Sequence, residues 1–266
     1  MKLTILGTGD ACVTECFNTC FVLSENDKYF MVDGGGGNGI LRQLKLAGID
    51  RMKIKHIFVT HKHLDHILGA LWMIRMICQD MAADTFEGDA YIYGHDEVIG
   101  LLRGMAKDLL IYKQNRFVDD RIHMVEVHDG ESMDIIGHRV TFFDIMSTKS
   151  KQYGFTMELA DGEKLTCCGD EPFSEHDRQY AEGSTWLLHE SFCRECDADI
   201  FRPYEMHHST VKNACELAED LGAKHLVLYH TEDVNIKDRR RLYYEEGVNY
   251  YHGDLIIAED LQEIEL

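Results

Sequence analysis

The six residues His61-Lys62-His63-Leu64-Asp65-His66 constrain this chain more than any other stretch, because they close an apolar run, HIFVTH at 56–61. The run has the length and branching of a buried strand. Its end therefore carries three imidazoles and one carboxylate, and buried groups of this kind are costly without a partner. A lone histidine is usually structural, but four ligand-type residues at this density are hard to explain by packing. His61 and His63 can project together from a turn toward one ion, and Asp65 and His66 toward a second position. Zinc suits such a mixture of nitrogen and oxygen donors, and manganese or iron can also use it.

Around this cluster, strands are expected at residues 3–7, 20–23, 29–33, 90–94, 138–145, 154–159, 164–169, 185–189 and 225–230. Helical spacing predicts helices over 40–47, with Gly48 as the stop, over 67–82, and over 211–221. Ser209 or Thr210 can cap the start of the last helix, and Gly222 its end. Strands and helices alternate, but hairpin-like runs intervene, so a mixed α/β sandwich fits better than a doubly wound parallel sheet. Asp33, His61, Asp170, His189 and His230 recur at the ends of apolar strands, where an open α/β architecture gathers its chemistry.

The 266 residues are 45% hydrophobic and hold only two prolines, with no linker-like stretch, so one domain spanning 1–266 is expected. No apolar run approaches the ~18 residues of a membrane span. The opening MKLTILGTGDA reads as a first strand and not as a signal peptide, so a cytoplasmic location is expected. Nine scattered cysteines argue against a disulfide framework, and the Cys193/Cys196 pair reads as reduced thiols. A net charge of −20 repels phosphate backbones, so a nucleic-acid substrate would need a local basic patch. Lys237 and Arg239 to Arg241 form the one basic cluster, which a solvated helix face explains at least as well. The glycine run Gly34 to Gly37 lacks the Lys-Ser/Thr ending of a phosphate loop.

HKHLDH matches the HxHxDH signature and resembles the metallo-β-lactamase superfamily. LGTGDA, Phe17-Asn18-Thr19, MVDGGGG followed by ILRQLKLAGI, and IFVTHKHLDHILGA resemble its ribonuclease Z branch. Downstream, CCGD resembles the strand that ends in a metal-bridging aspartate, here Asp170. LLHES resembles the His-Glu segment (His189-Glu190), HHST the His-Ser-Thr segment (His208 to Thr210), and LVLYH ends in the last metal histidine, His230. The resemblance implies an αββα sandwich with a dinuclear site. His61 and His63 would serve one metal, Asp65, His66 and His230 the other, with Asp170 between them. In such a site two ions ~3.5–4 Å apart acidify a shared water and neutralise charge developing on a phosphoryl or acyl centre. By the same resemblance, Asp65 orients the attacking water, His208 donates a proton to the leaving group, and Glu190 holds a histidine in its tautomer.

Two departures shape the functional expectation. The family places one further histidine about six residues before the Gly154-Phe155 pair, but Ser147-Thr148-Lys149-Ser150-Lys151 stands there. The first of two zinc sites is therefore expected to be the weaker, or Lys149 or Lys151 replaces its charge; His128 and His138 fall at the wrong place to substitute. Ribonuclease Z also carries a long arm that grips transfer RNA, and the stretch Gly154 to Asp170 has no room for it. Hydrolysis of a phosphodiester is the leading expectation, with transfer RNA a doubtful substrate. A small-ester or lactone hydrolase and a non-catalytic metal-binding or sensing protein are the alternatives. The sequence leaves a homodimer open.

Overall fold

A computed structural model describes residues 1–266. The chain divides into two compact units, one of residues 1–7, 17–127 and 261–266, the other of residues 8–16 and 128–260. The first unit holds strands β1 (Lys2–Gly7), β2 (Cys20–Glu25), β3 (Lys28–Val32), β4 (Ile54–Phe58), β5 (Ala90–Gly94) and β6 (Ile122–Glu126). The second holds β7 (Ser132–Ile135), β8 (His138–Asp144), β9 (Tyr153–Glu158), β10 (Lys164–Cys167), β11 (Trp186–Glu190), β12 (His225–Tyr229) and β13 (Asp254–Ile257). The last strand, β14 (Glu263–Glu265), belongs to the first unit, where it pairs with β1.

In the first unit the order is β14-β1-β2-β3-β4-β5-β6. Its first half is antiparallel, while β3 to β6 run parallel through helical crossovers. Helices α1 (Gly39–Leu46), α2 (Leu64–Ala82) and α3 (Asp96–Leu109) supply those crossovers. Along α2, Ile67, Ala70, Ile74, Ile77 and Met81 recur every three to four residues, which puts them on one face. They join Val22, Met31, Ile57 and Ile92 of the sheet in one buried core.

The second unit has the order β13-β12-β11-β10-β9-β8-β7, parallel from β10 to β13 and antiparallel from β7 to β10. The helix Val211–Asp220 packs Val211, Ala214 and Ala218 onto Leu187, Leu226 and Leu228. Thr210 caps it through its hydroxyl, and Gly222 (φ +67°) ends it in the left-handed conformation glycine adopts without strain. Between β9 and β10 lies only a short turn, Leu159 to Glu163, so residues 154–170 form a hairpin with no protruding arm. Two mixed sheets flanked by helices are the fold class the sequence led us to expect. No helix is long and apolar enough to cross a membrane. All nine cysteines are free thiols, with Cys193 buried and Cys196 exposed.

One buried acid in the second unit opposes folding. Asp177 accepts the Ser174 N–H at 3.2 Å, but its Oδ1 has no partner, and burial pushes its pKa up to about 7. A carboxyl with a folded pKa above its unfolded value of 3.8 loses its stability contribution as pH rises through that interval. Asp177→Asn keeps the cap acceptor and removes the charge. It is expected to raise unfolding free energy at pH 8 by ~1–2 kcal/mol and to change it little at pH 4. Urea unfolding at the two pH values measures this. An equal effect at both would place the cause elsewhere.

Candidate metal centre

Parallel strands bring their C-terminal ends to one edge, and that is where each unit collects its polar residues. In the first unit, Asp33 follows β3 and Thr60-His61 follows β4. Asp33 is buried and is the hub. Its Oδ1 accepts the Thr60 N–H at 2.8 Å, and its Oδ2 accepts both the Thr60 hydroxyl at 2.8 Å and His66 Nδ1–H at 2.7 Å. The Thr60 oxygen in turn accepts from His61 Nδ1, 3.0 Å away. With both Nδ1 atoms committed as donors, His61 and His66 carry their lone pairs on Nε2.

Those lone pairs face other ligand-type atoms. His61 Nε2 lies 2.9 Å from His63 Nδ1, and His66 Nε2 lies 3.3 Å from an Asp65 carboxylate oxygen. Imidazole nitrogens and a carboxylate oxygen brought together at these distances are donor types that can hold a cation. The donor set of the first unit therefore fits a metal, and Asp33 is the carboxylate that fixes the tautomer of His66. Local structure holds this in place. His63 stays extended (ψ 150°) just before α2, while Asp65 and His66 lie in its first turn, where a carboxylate suits the helix dipole. Gly34 and Gly69 let the loop after β3 touch α2. A Cβ on Gly69 would sit 1.7 Å from the Gly34 carbonyl oxygen, and Gly34 N–H donates to the His66 carbonyl at 2.9 Å.

In the second unit, Asp170 lies beyond β10, Glu190 ends β11, and His230 follows β12. Asp170 Oδ2 is 3.3 Å from His230 Nε2. Glu190, His208 and His230 bring one ligand-type atom each within 4.8 Å of the others. Glu190 Oε1 accepts the Ser209 N–H at 2.5 Å, and its Oε2 lies 3.3 Å from His208 Nδ1. Burial pushes the Glu190 carboxyl up and the His208 imidazole down. Both shifts favour the uncharged pair, which holds one transferable proton. The His208 ring is fixed by stacking on Phe192, centroids 4.9 Å apart. His189, adjacent on β11, points to the opposite sheet face and stays neutral, its pKa pushed down to about 4 by burial.

Asp33 and His230 both have left-handed backbones (φ +57° each), an arrangement that costs a β-carbon-bearing residue ~1–2 kcal/mol. Strain of this kind concentrates at functional sites.

The stretch expected to lack a metal histidine is tied down by other means. Ser147 Oγ donates to Glu171 Oε1 at 2.7 Å, and the Thr148 hydroxyl faces His207 Nδ1 at 3.2 Å. Lys149 Nζ donates to the Met206 carbonyl at 2.7 Å and lies 3.9 Å from Glu171, while Lys151 sits over the Tyr153 ring. Glu171 is buried, which raises its pKa. His128 is exposed, and His138 bonds the Glu158 carbonyl, so neither joins a ligand cluster. The three arginines of the basic cluster are also accounted for. Arg239 is buried against Thr8, Thr231 and the Ala258 carbonyl, while Arg240 and Arg241 pair with acids.

The family model described as "Anti-Pycsar protein Apyc1" matches residues 1–245. The chain belongs to that family. It is also 28% identical to ribonuclease Z of Methanothermobacter thermautotrophicus, over 100% of this chain and 97% of that protein. Among solved structures, the metallo-β-lactamase fold protein YhfI from Bacillus subtilis superposes with TM-score 0.78 at 18% identity, covering 99% of each chain. The short form of human tRNase Z superposes with TM-score 0.76 at 21% identity, covering 100% of this chain and 99% of that one. This Apyc1-family chain is thus a ribonuclease Z-like member of the metallo-β-lactamase superfamily, and its two mixed sheets are that fold.

Proposed function

We propose that this protein hydrolyses a small phosphodiester. It is a metal-dependent hydrolase. The proposed ligands are His61, His63, Asp65 and His66 in the first unit, and Asp170 and His230 in the second. Zinc is the ion this mixture of imidazole and carboxylate suits best. When bound, the metal supplies an acidified water and neutralises charge on the phosphoryl centre. Asp65 also orients the attacking water.

The observation that carries the phosphodiester reading is the Glu190–His208 pair. The alkoxide that an alkyl phosphodiester expels is a strong base, and its departure benefits from a positioned proton donor. His208 delivers the proton from its Nε2 while Glu190 resupplies Nδ1, 3.3 Å away. The short β9–β10 hairpin supports a small substrate over transfer RNA. The family's namesake is described as an anti-Pycsar protein, and the same opposition to Pycsar is part of this proposal.

The test uses metal-stripped protein with zinc added back, assayed on bis(4-nitrophenyl) phosphate, 4-nitrophenyl acetate and a simple lactone. Zinc-dependent turnover of the phosphodiester is the expected result. Turnover of the ester or lactone alone would overturn it in favour of a small-ester hydrolase. No turnover on any of them would leave a binding or sensing protein. Calorimetric titration of zinc is expected to show two unequal steps, because Ser147 to Lys151 bring no nitrogen donor to the first site. Two equal, tight steps would mean that another residue completes it.

A further inference from the structure

We infer that Gln152 is the positioning residue that aims the Asp170 carboxylate. Gln152 is fully buried in the extended stretch leading into β9. Both ends of its side-chain amide are committed to Asp170: Oε1 accepts the Asp170 backbone N–H at 2.7 Å, and Nε2 donates to Asp170 Oδ1. The amide orientation follows from the chemistry. Flipping it would set donor against donor and acceptor against acceptor.

The clamp ties the carboxylate to its own backbone, so the χ angles of Asp170 are no longer free. It also divides the labour of the two oxygens. Oδ1 is held by an N–H, and Oδ2 keeps its lone pairs toward His230 Nε2 at 3.3 Å. The preceding turn is held as tightly. Gly169 has φ +78°, and a Cβ there would lie 2.1 Å from Gln152 Oε1. From another direction the Tyr229 hydroxyl donates to the Gly169 carbonyl at 2.5 Å. Rotating Gln152 away from Asp170 would break both hydrogen bonds and bury the Gln152 amide without these partners.

Gln152 follows directly on Ser147 to Lys151, where the expected histidine is missing. This inference rests on the reading of Asp170 as a metal ligand. Residues that orient a ligand commonly change metal affinity by about 10–100-fold.

The experiment measures zinc affinity of the full-length, metal-stripped protein by competition with a chromophoric chelator, and the melting temperature of the same apoprotein. Gln152→Met removes both hydrogen bonds at similar volume. It is expected to weaken the tighter zinc site by about 10–100-fold. Gln152→Glu sets an acceptor against Oδ1 and is expected to weaken it at least as much. Placed on an Asp170→Ala background, neither change should weaken zinc binding further, because Gln152 acts through Asp170. A Gln152 that merely satisfies the turn would lower the apoprotein melting temperature and leave zinc affinity within about three-fold in both variants. That result overturns the inference, as does an equal loss on the Asp170→Ala background. If Asp170→Ala alone leaves zinc affinity intact, the ligand reading fails and takes this inference with it.

Discussion

Replacing His208 by alanine is expected to slow cleavage of an alkyl phosphodiester by about 10²–10⁴-fold, while slowing bis(4-nitrophenyl) phosphate far less. The contrast follows from the leaving group. An alkoxide is a strong base and needs the His208 proton in the transition state. A nitrophenolate leaves unassisted. The geometry makes His208 suitable: its ring is fixed against Phe192, its Nδ1 faces Glu190 Oε2 at 3.3 Å, and burial pushes the carboxyl up and the imidazole down. Glu190→Gln should repeat the pattern more weakly, because an amide cannot resupply Nδ1. Metal content of both variants should stay near wild type. Equal slowing of both substrates would mean that His208 binds substrate or supports the site without donating a proton.

How far the sequence carried these conclusions depended on how locally each feature is encoded. The HKHLDH cluster was legible because its donors lie within six residues at a strand end. The parallel strands β3–β5 and β10–β12 were legible as apolar runs, and they account for why Asp33, His61, Asp170, Glu190 and His230 fall at strand ends. The start of α2 was harder. The sequence suggested Ile67, and the helix begins at Leu64, because its first turn is given over to Asp65 and His66. Helix α3 went unread since Gly100 and Gly104 dilute its pattern, although Val98, Ile99, Leu102 and Ala106 form a buried face. Strand β13 pairs with β12 only through long-range contacts, and the helix Arg239–Gly247 has too little apolar periodicity to stand out.

The supporting residues of the candidate site were the least visible. Asp33 could be noticed as a polar residue closing an apolar strand. Its grip on His66 and on Thr60 links residues 27 and 33 positions apart, which no local spacing encodes. Gln152 gave no signal, since one glutamine before a strand is unremarkable until the fold sets it against Asp170. The gap at Ser147 to Lys151 was legible as a missing histidine. What fills it was not, because the answer lies in contacts with Glu171, His207 and Met206.

Asp170 is expected to be the residue whose loss strips most metal. A single-histidine change removes one neutral donor, whereas losing Asp170 removes the one anionic ligand proposed for the second unit. Losing a ligand should exceed the 10–100-fold typical of losing a residue that only orients one, so Asp170→Ala should weaken zinc binding by on the order of 10²-fold or more. Alanine has a second consequence. It leaves the Gln152 amide buried without its acceptor, which costs ~1–3 kcal/mol of stability and could be mistaken for the cause of metal loss. Asp170→Asn separates the two effects. The asparagine carbonyl oxygen still accepts from Gln152 Nε2, its backbone N–H still meets Gln152 Oε1, and its NH₂ replaces Oδ2 where a ligand lone pair is needed. Asp170→Asn is therefore expected to keep the apoprotein within ~1 kcal/mol of wild type while retaining less metal than any single-histidine variant. Elemental analysis of the purified proteins decides the matter. Full metal content in Asp170→Asn would remove Asp170 from the ligand set, whatever the alanine variant does.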